Sequence, residues 1–440
     1  MKKKVALHNL GCKVNAYETE AMQQMLEAEG YEIVPFAPGA DIYLINTCTV
    51  TNIADRKSRQ MLHKAKKMNP NAIVVAIGCY VQAAREDLEA DAAIDLVIGN
   101  NKKKDLIAIL ESYEREEKGL EEFIDLSHSS EYEELSIQKT AEHTRAYIKV
   151  QDGCNQFCSY CIIPYTRGRV RSRRAEDVIA EVEKLAEYGC QEVVLTGIHL
   201  SSYGVDIDSS LLELIQAVHR VDGIRRIRLG SLEPRIITEG FVTALKELPK
   251  ICPHFHLSLQ SGCDATLKRM NRRYTAEEYL MKCELIRRHF SHPALTTDVI
   301  VGFPGETEEE FAQTKAFLEK IEFYETHIFK YSRRKGTRAA VMERQVPDQI
   351  KAERSSILLS LGEEKKKKFE SALFGKETEV LFEEKASLEG RDYWVGHTKE
   401  YVKLALYSQE DLENKLISVT VINRRVQGIL QCQIPCLTKN

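Results

Sequence analysis

Tyr147-Ile148-Lys149-Val150-Gln151-Asp152-Gly153-Cys154-Asn155-Gln156-Phe157-Cys158-Ser159-Tyr160-Cys161 carries a strand and the loop that leaves it. Tyr147 to Val150 reads as the strand, and Gly153 opens the loop. Cys154, Cys158 and Cys161 follow with CxxxCxxC spacing. Three thiolates on so short a loop can hold three irons of a [4Fe-4S] cluster and leave the fourth iron without a protein ligand. A metal site that does chemistry keeps a position open, whereas a structural one is closed. A zinc site or three incidental loop thiols would use the same residues. Neither explains why the loop leaves the C-terminal end of a strand, where barrels of βα units place their active sites.

Working outward, further strands are expected at Val193 to Thr196, Arg226 to Leu229, Phe255 to Leu259, Thr297 to Val301 and His327 to Tyr331. Helical spacing fills Ala175 to Tyr188, Ala276 to Arg288 and Glu308 to Leu318. Six βα units predict a partial (β/α)6 barrel rather than a closed one of eight. The charged stretch from Pro347 to Phe369, with the solvated lysine run Lys365 to Lys368, ends this domain as a helix.

Upstream, Val5 to Leu7, Ile42 to Ile45, Ile73 to Ile77 and Leu96 to Ile98 alternate with amphipathic stretches such as Ala16 to Glu29. That alternation predicts a Rossmann-like parallel sheet in an α/β layer architecture. Just past three of these strands stand Cys12, Cys48 and Cys79. Strand ends of an open α/β sheet line one crevice, so three distant thiols can converge there and form a second cluster site. Buried cysteine is common as a small hydrophobe, but core cysteines belong within strands and all three fall after them. Downstream, short strands at Glu379 to Phe382, Tyr393 to Gly396, Val402 to Leu406 and Leu416 to Ile422 predict a small OB-like β-barrel. The expected divisions are an N-terminal cluster domain over 1–112, an acidic linker over 113–142, a barrel core over 143–371 and a small β-barrel over 372–440.

Twelve cysteines without a secretory leader read as cytoplasmic metal ligands and core thiols rather than disulfides. Cys190, Cys252, Cys263, Cys283, Cys432 and Cys436 are expected to be core or surface thiols, although Cys432 with Cys436 forms a weak CxxxC pair. No membrane segment is expected. The net charge of −4 argues against a nucleic-acid partner only on average. Glu111 to Glu142 holds eleven acidic and three basic residues, whereas Arg145 to Arg174 holds seven basic residues and one acid. The acidic stretch is expected to be a solvated linker. Arg167, Arg169, Arg171, Arg173 and Arg174 sit beside the first cysteine trio and suit a polyanionic substrate through bidentate phosphate contacts, with surface salt bridges as the alternative.

On the CxxxCxxC spacing and aromatic Tyr160, the chain resembles the radical S-adenosylmethionine superfamily. With both trios it resembles the methylthiotransferases along nearly its whole length. Supporting segments are Arg167-Gly168 with Ser172-Arg173, Leu195-Thr196-Gly197, Ser231-Leu232-Glu233-Pro234, Leu257 to Gly262, and Thr297-Asp298 through Gly305-Glu306-Thr307. The resemblance implies a C-terminal RNA-binding TRAM domain, a radical-generating cluster on Cys154, Cys158 and Cys161, and an auxiliary cluster on Cys12, Cys48 and Cys79. It implies two S-adenosylmethionine molecules per product, with contacts at Tyr160, Gly197, Ser231, Gln260 and Asp298. Lys13-Val14-Asn15, Tyr17-Glu18-Thr19 and Asn46 to Thr51 are similar to the branch that modifies threonylcarbamoyladenosine beside the tRNA anticodon. The implied partners are the tRNA anticodon stem-loop and an electron donor such as flavodoxin or ferredoxin. Alternatives are the isopentenyladenosine branch, the branch acting on an aspartate of a ribosomal protein, and a non-catalytic iron-sulfur RNA-binding protein.

Overall fold

The computed structural model describes residues 2–115, 123–124, 126, 131–139 and 144–435. Five parallel strands form the first sheet: β1 (Lys4–Asn9), β2 (Glu32–Ile33), β3 (Ile42–Thr47), β4 (Ile73–Gly78) and β5 (Leu96–Ile98), in the order β2-β1-β3-β4-β5. β3 is buried along its whole length because its two faces serve two cores. Tyr43 and Ile45 pack with Leu62 and Ala65, while Ile42 and Leu44 pack with Met22, Leu26 and Ile109. Strand order reverses between β1 and β3, the place where open α/β sheets hold ligands. The short edge strand β2 was not legible in the sequence.

Three helices matter for the site: α1 (Lys13–Ala28), α2 (Asn52–Met68) and α3 (Cys79–Ala83). α1 belongs to two cores. Its Met22 and Leu26 join the first sheet, and its Tyr17 and Ala21 join the core of the second domain.

That second domain contains β6 (Arg145–Asp152), β7 (Arg171–Ser172), β8 (Glu192–Gly197), β9 (Arg226–Leu229), β10 (His254–His256), β11 (Ala294–Val301) and β12 (Glu325–Lys330). Sheets β7-β6-β8-β9 and β10-β11-β12 are joined through isolated bridges Ile227–Ile251 and Leu232–Leu257 into an open barrel of six parallel strands, with β7 antiparallel on β6. Helices 276–289 and 308–321 start from reciprocal caps, Thr275 with Glu278 and Thr307 with Glu310. The charged helix Asp348–Ser371 follows, and its Lys366 binds Glu325 at 2.6 Å.

β13 (Glu377–Leu388), β14 (Arg391–Thr398), β15 (Lys403–Leu406), β16 (Leu416–Val426) and β17 (Ile429–Gln433) close into a small barrel. It seals the foot of the larger one. Arg226 and Arg228 at the start of β9 donate to the carbonyls of His397, Glu379 and Lys399 at 2.7–2.9 Å. Tyr401 stacks on His254 and His397 with Arg145 and Arg228 over its ring. Cys432 is buried in this barrel, and Cys436 lies outside the described residues.

The acidic stretch departs from the solvated linker expected of it. Among its described residues, Leu126, Glu133, Leu135 and Ile137 are buried. Glu133 accepts from the Lys103 backbone at 2.5 Å, Leu135 O accepts from Tyr17 at 2.5 Å, and Tyr132 donates to Lys149 O at 2.7 Å. Charge composition missed this because a buried carboxylate beside a buried lysine contributes to the sum as a solvated one does. The rest of the stretch lies outside the described residues.

Candidate iron-sulfur sites

Cys12, Cys48 and Cys79 follow β1, β3 and β4, adjacent parallel strands in register from Asn9–Asn46 to Thr47–Gly78. Each is held at a chain turn. Cys12 caps α1, and Cys79 opens α3 after Gly78, whose φ of 102° belongs to glycine. A Cβ on Gly78 would stand 2.5 Å from Asn46 Oδ1, and one on Gly11 would stand 3.1 Å from Cys48 Sγ. The strand ends are therefore packed as closely as glycine permits. Burial pushes the Cys48 thiol up to about 12, and the other two cysteines add to that rise. Cys12 touches solvent, yet burial raises its thiol too, against the pull of Arg167.

The donor set fits a cation-loaded thiolate site. Arg167 Nε donates to Cys79 Sγ at 3.1 Å, and Asn100 Nδ2 approaches it at 3.8 Å. Around this contact Lys103, Lys149, Arg167 and Arg171 face Glu18, Glu133 and Asp152, all buried. Four cations meet three carboxylates, so the remaining positive charge lies against sulfur. A cationic donor bonded to a ligand sulfur favours its charged over its neutral form.

Cys154, Cys158 and Cys161 occupy the loop after β6. Gly153 has φ 70°, and a Cβ there would lie 1.7 Å from Arg169 O. Cys154 N donates to Gly168 O at 3.0 Å, Gln156 N approaches Cys154 Sγ at 3.4 Å, and Arg272 Nη1 approaches Cys158 Sγ at 3.4 Å. Burial raises the Cys154 thiol to about 11 and the Cys161 thiol to about 12. Such thiols release protons when a metal binds. Tyr160 packs on the cluster formed by Phe303, Met270 and Tyr331.

The arginine expectation is corrected for three residues of the five. Arg167, Arg171 and Arg173 are 0–3% exposed and already engaged. Arg167 forks onto Glu18 and Asp152 at 2.8–3.2 Å, Arg171 reaches Asn101 at 3.3 Å, and Arg173 pairs with Glu181. They hold the domains together and do not face a phosphate backbone. Glu18 and Asn101 are distant in sequence from Arg167 and Arg171, so spacing along the chain could not reveal them, whereas Glu181 lies only eight residues beyond Arg173. Arg169, over the Phe157 ring at 4.7 Å, and Arg174 remain exposed.

Gly197 ends β8 against Gln151, and Ser231 is exposed just past β9. Gln260 adopts φ 72°, clamped by Asp298 O at 2.8 Å and Ile300 N at 2.9 Å. Asp298 accepts from His256 at 3.2 Å. His256, Asp298 and His327 bring their polar atoms within 4.8 Å of one another. Sequence reasoning missed both histidines, although they alternate with apolar neighbours as inward-facing strand residues do. It also missed Arg272, Glu18 and Arg334, which joins Thr49 and Asp55 at 2.6 Å and docks the segment after β12 onto α2.

Lys13, beside Cys12, is exposed. Burial, with Arg228 and Arg145 nearby, lowers its ammonium to about 8, and Glu192 acts in the opposite direction.

An open βα barrel with a three-cysteine loop at the top of its first strand defines the Radical SAM superfamily, whose model matches residues 148–318. A second model, Uncharacterized protein family UPF0004, matches residues 4–99. The chain is 40% identical to a threonylcarbamoyladenosine tRNA methylthiotransferase of Bacillus subtilis (strain 168) over 421 residues, 95% of this chain and 93% of that one. It is 42% identical to the protein of that name from Aquifex aeolicus over 89% of this chain and 95% of the relative. A tRNA-2-methylthio-N(6)-dimethylallyladenosine synthase of Thermoanaerobacter pseudethanolicus is 36% identical over 86% of this chain and 81% of its own length. The fold is shared with a radical S-adenosylmethionine methyltransferase of Kitasatospora setae that has cobalamin and a [4Fe-4S] cluster bound. That match has TM-score 0.58 and 17% identity over 78% of this chain and 74% of that one. The chain belongs to the radical S-adenosylmethionine methylthiotransferases, in the branch named for threonylcarbamoyladenosine.

Proposed function

We propose that the chain adds a methylthio group to carbon 2 of threonylcarbamoyladenosine in tRNA. The observation that carries this is the presence of two three-cysteine sites on one short connection. The segment from Cys154 to Arg167 begins at one trio and ends on Cys79 of the other. Cys154, Cys158 and Cys161 would hold one [4Fe-4S] cluster, and Cys12, Cys48 and Cys79 a second. Three thiolates leave one iron of each cluster free for a small ligand. S-adenosylmethionine bound there supplies the one-electron chemistry that an unactivated aromatic carbon–hydrogen bond requires and side chains lack.

The chain's own residues bind and orient. Arg272 steadies the Cys158 sulfur, and Arg167 steadies that of Cys79. Tyr160, Gly197, Ser231, Gln260 and Asp298 line the path that S-adenosylmethionine would occupy. Arg169 and Arg174, with the small C-terminal barrel as a TRAM-like module, bind the anticodon stem-loop. A small flavin or iron-sulfur protein supplies electrons. No described helix is long and apolar enough to cross a membrane, and a tRNA substrate fits a cytoplasmic location.

The test is mass spectrometry of tRNA nucleosides from cells lacking the gene, joined to a reconstituted assay. Loss of methylthio-threonylcarbamoyladenosine and release of 5'-deoxyadenosine are expected. Unchanged nucleosides would remove the assignment, and absence of 5'-deoxyadenosine would favour a non-catalytic RNA-binding protein.

A further inference from the structure

β10, β11 and β12 lie side by side, with His256 opposite Thr296 and Asp298 opposite His327. Side chains alternate between the two faces of a strand. Phe255, Leu295, Val299 and Ile328 pack in the core beneath the helices. His256, Thr296, Asp298 and His327 therefore turn to the opposite face, the inside of the barrel. One ligand atom from each of His256, Asp298 and His327 lies within 4.8 Å of the other two. His256 Nε2 is 3.2 Å from Asp298 Oδ2, and the His256 and His327 rings stack with centroids 5.7 Å apart. A hydrogen-bonded histidine–aspartate pair accounts for two of the three residues. It gives no part to His327, which is exposed and whose imidazole makes no hydrogen bond or ion pair among the described residues.

We propose that His256, Asp298 and His327 bind one divalent first-row cation inside the barrel, at a site distinct from both cysteine trios. Two imidazoles and one carboxylate are a donor set that zinc or ferrous iron takes with a coordination position left open. Ligand atoms about 2.1 Å from a tetrahedral zinc ion stand about 3.4 Å apart. His256 and Asp298 already have that spacing, and His327, on the neighbouring strand, closes its gap by turning its side chain. The contact that would hold a ligand histidine in place is also present, because Thr296 Oγ1 lies 3.0 Å from His256 Nδ1. A hydroxyl both donates and accepts. It accepts from Nδ1–H in the tautomer that frees Nε2 for a metal, as the outer partners of metal-bound histidines do. One Asp298 oxygen suffices for the ion, and the other stays for the cofactor path proposed above. The open position takes water or an oxygen of whatever enters the barrel.

The test adds zinc chloride alone to the cluster-loaded chain, whose six cluster cysteines are already taken by iron. Zinc is the probe because it is told apart from cluster iron. Zinc and iron per chain are measured after equilibrium dialysis, together with X-ray absorption at the zinc edge. One zinc per chain is expected without loss of iron, with nitrogen and oxygen neighbours at about 2.0–2.1 Å and no sulfur near 2.3 Å. Thr296→Val should weaken zinc binding about tenfold to a hundredfold, as loss of an outer partner does. His327→Gln, which alters an exposed side chain, should weaken it further, at unchanged iron and melting midpoint. No bound zinc, sulfur neighbours, iron released in exchange for zinc, or unchanged affinity in His327→Gln would overturn the proposal. No RNA enters the measurement, so a wrong nucleoside substrate leaves this result untouched, and failure here leaves the proposed function standing.

Discussion

Replacing Arg167 by Met tests whether the arginine-rich segment is a surface for RNA or an internal tie. The guanidinium makes contacts of 2.8 Å to Glu18, 3.1 Å to Asp152, 2.8 Å to Asn15 and 3.1 Å to the Cys79 sulfur, all out of solvent. Methionine preserves much of the volume but leaves Glu18 and Asp152 to Lys103, Lys149 and Arg171. Breaking a buried pair by removing one partner costs about 3–5 kcal/mol. For a domain of this size that lowers the melting midpoint by roughly 6–20 °C. Arg169→Met is the control, since Arg169 is exposed and its stacking on Phe157 contributes only about 0.5–1 kcal/mol. Calorimetry on both variants, with iron per chain measured after reconstitution, decides the matter. Arg167→Met should lose roughly half its iron, that of the Cys79 site, because the donor to that sulfur is gone. Equal midpoints and equal iron in the two variants would refute the internal tie and return both arginines to the surface role their spacing suggests.

Gly78→Ala and Gly153→Ala should each cost one site. The added methyl meets Asn46 in the first and the Arg169 backbone in the second, so each variant should keep about half the iron, distinguishable by which cysteine trio resists alkylation after reconstitution. Gln260→Gly relieves a left-handed backbone that costs a non-glycine residue about 1–3 kcal/mol. Its melting midpoint should hold or rise while S-adenosylmethionine affinity, read by equilibrium dialysis, falls; unchanged affinity would remove Gln260 from the cofactor path. Burial depresses His254 well below 6.5 and His199 to about 4. A depressed histidine gives stability that is complete above the unfolded value and is lost as pH falls below it, because the unfolded chain takes the proton first. The midpoint should therefore decline from about pH 6.5 down to pH 4, and His199→Asn should flatten that slope; a flat profile in the unaltered chain would contradict the burial of both rings.

Sequence periodicity located the strands that place the cysteines, because a fully buried strand such as Ile42 to Thr47 is an unbroken apolar run. The partial barrel followed from counting βα units. What escaped were features made by pairing distant residues. Arg167 looks like any exposed arginine until Glu18 arrives from a helix far away in the chain, and Arg173 until the next helix turns Glu181 back onto it. Glu133 looks solvated until Lys103 is placed beside it. Strands of two residues, β2 and β7, carry too few side chains for a period to register. His256 and His327 were visible as polar interruptions in apolar strands, but their meeting with Asp298 depends on the register of β11 with β12.

α1 is shared property. Since Tyr17 and Ala21 belong to one core and Met22 and Leu26 to the other, neither domain can swing without tearing a helix out of its neighbour. The span from the Cys12 end of that helix to the loop after β6 is thus a fixed gauge. Sulfur cannot be ferried across it by a hinged arm, so a substrate that needs both thiol sites has to come to them.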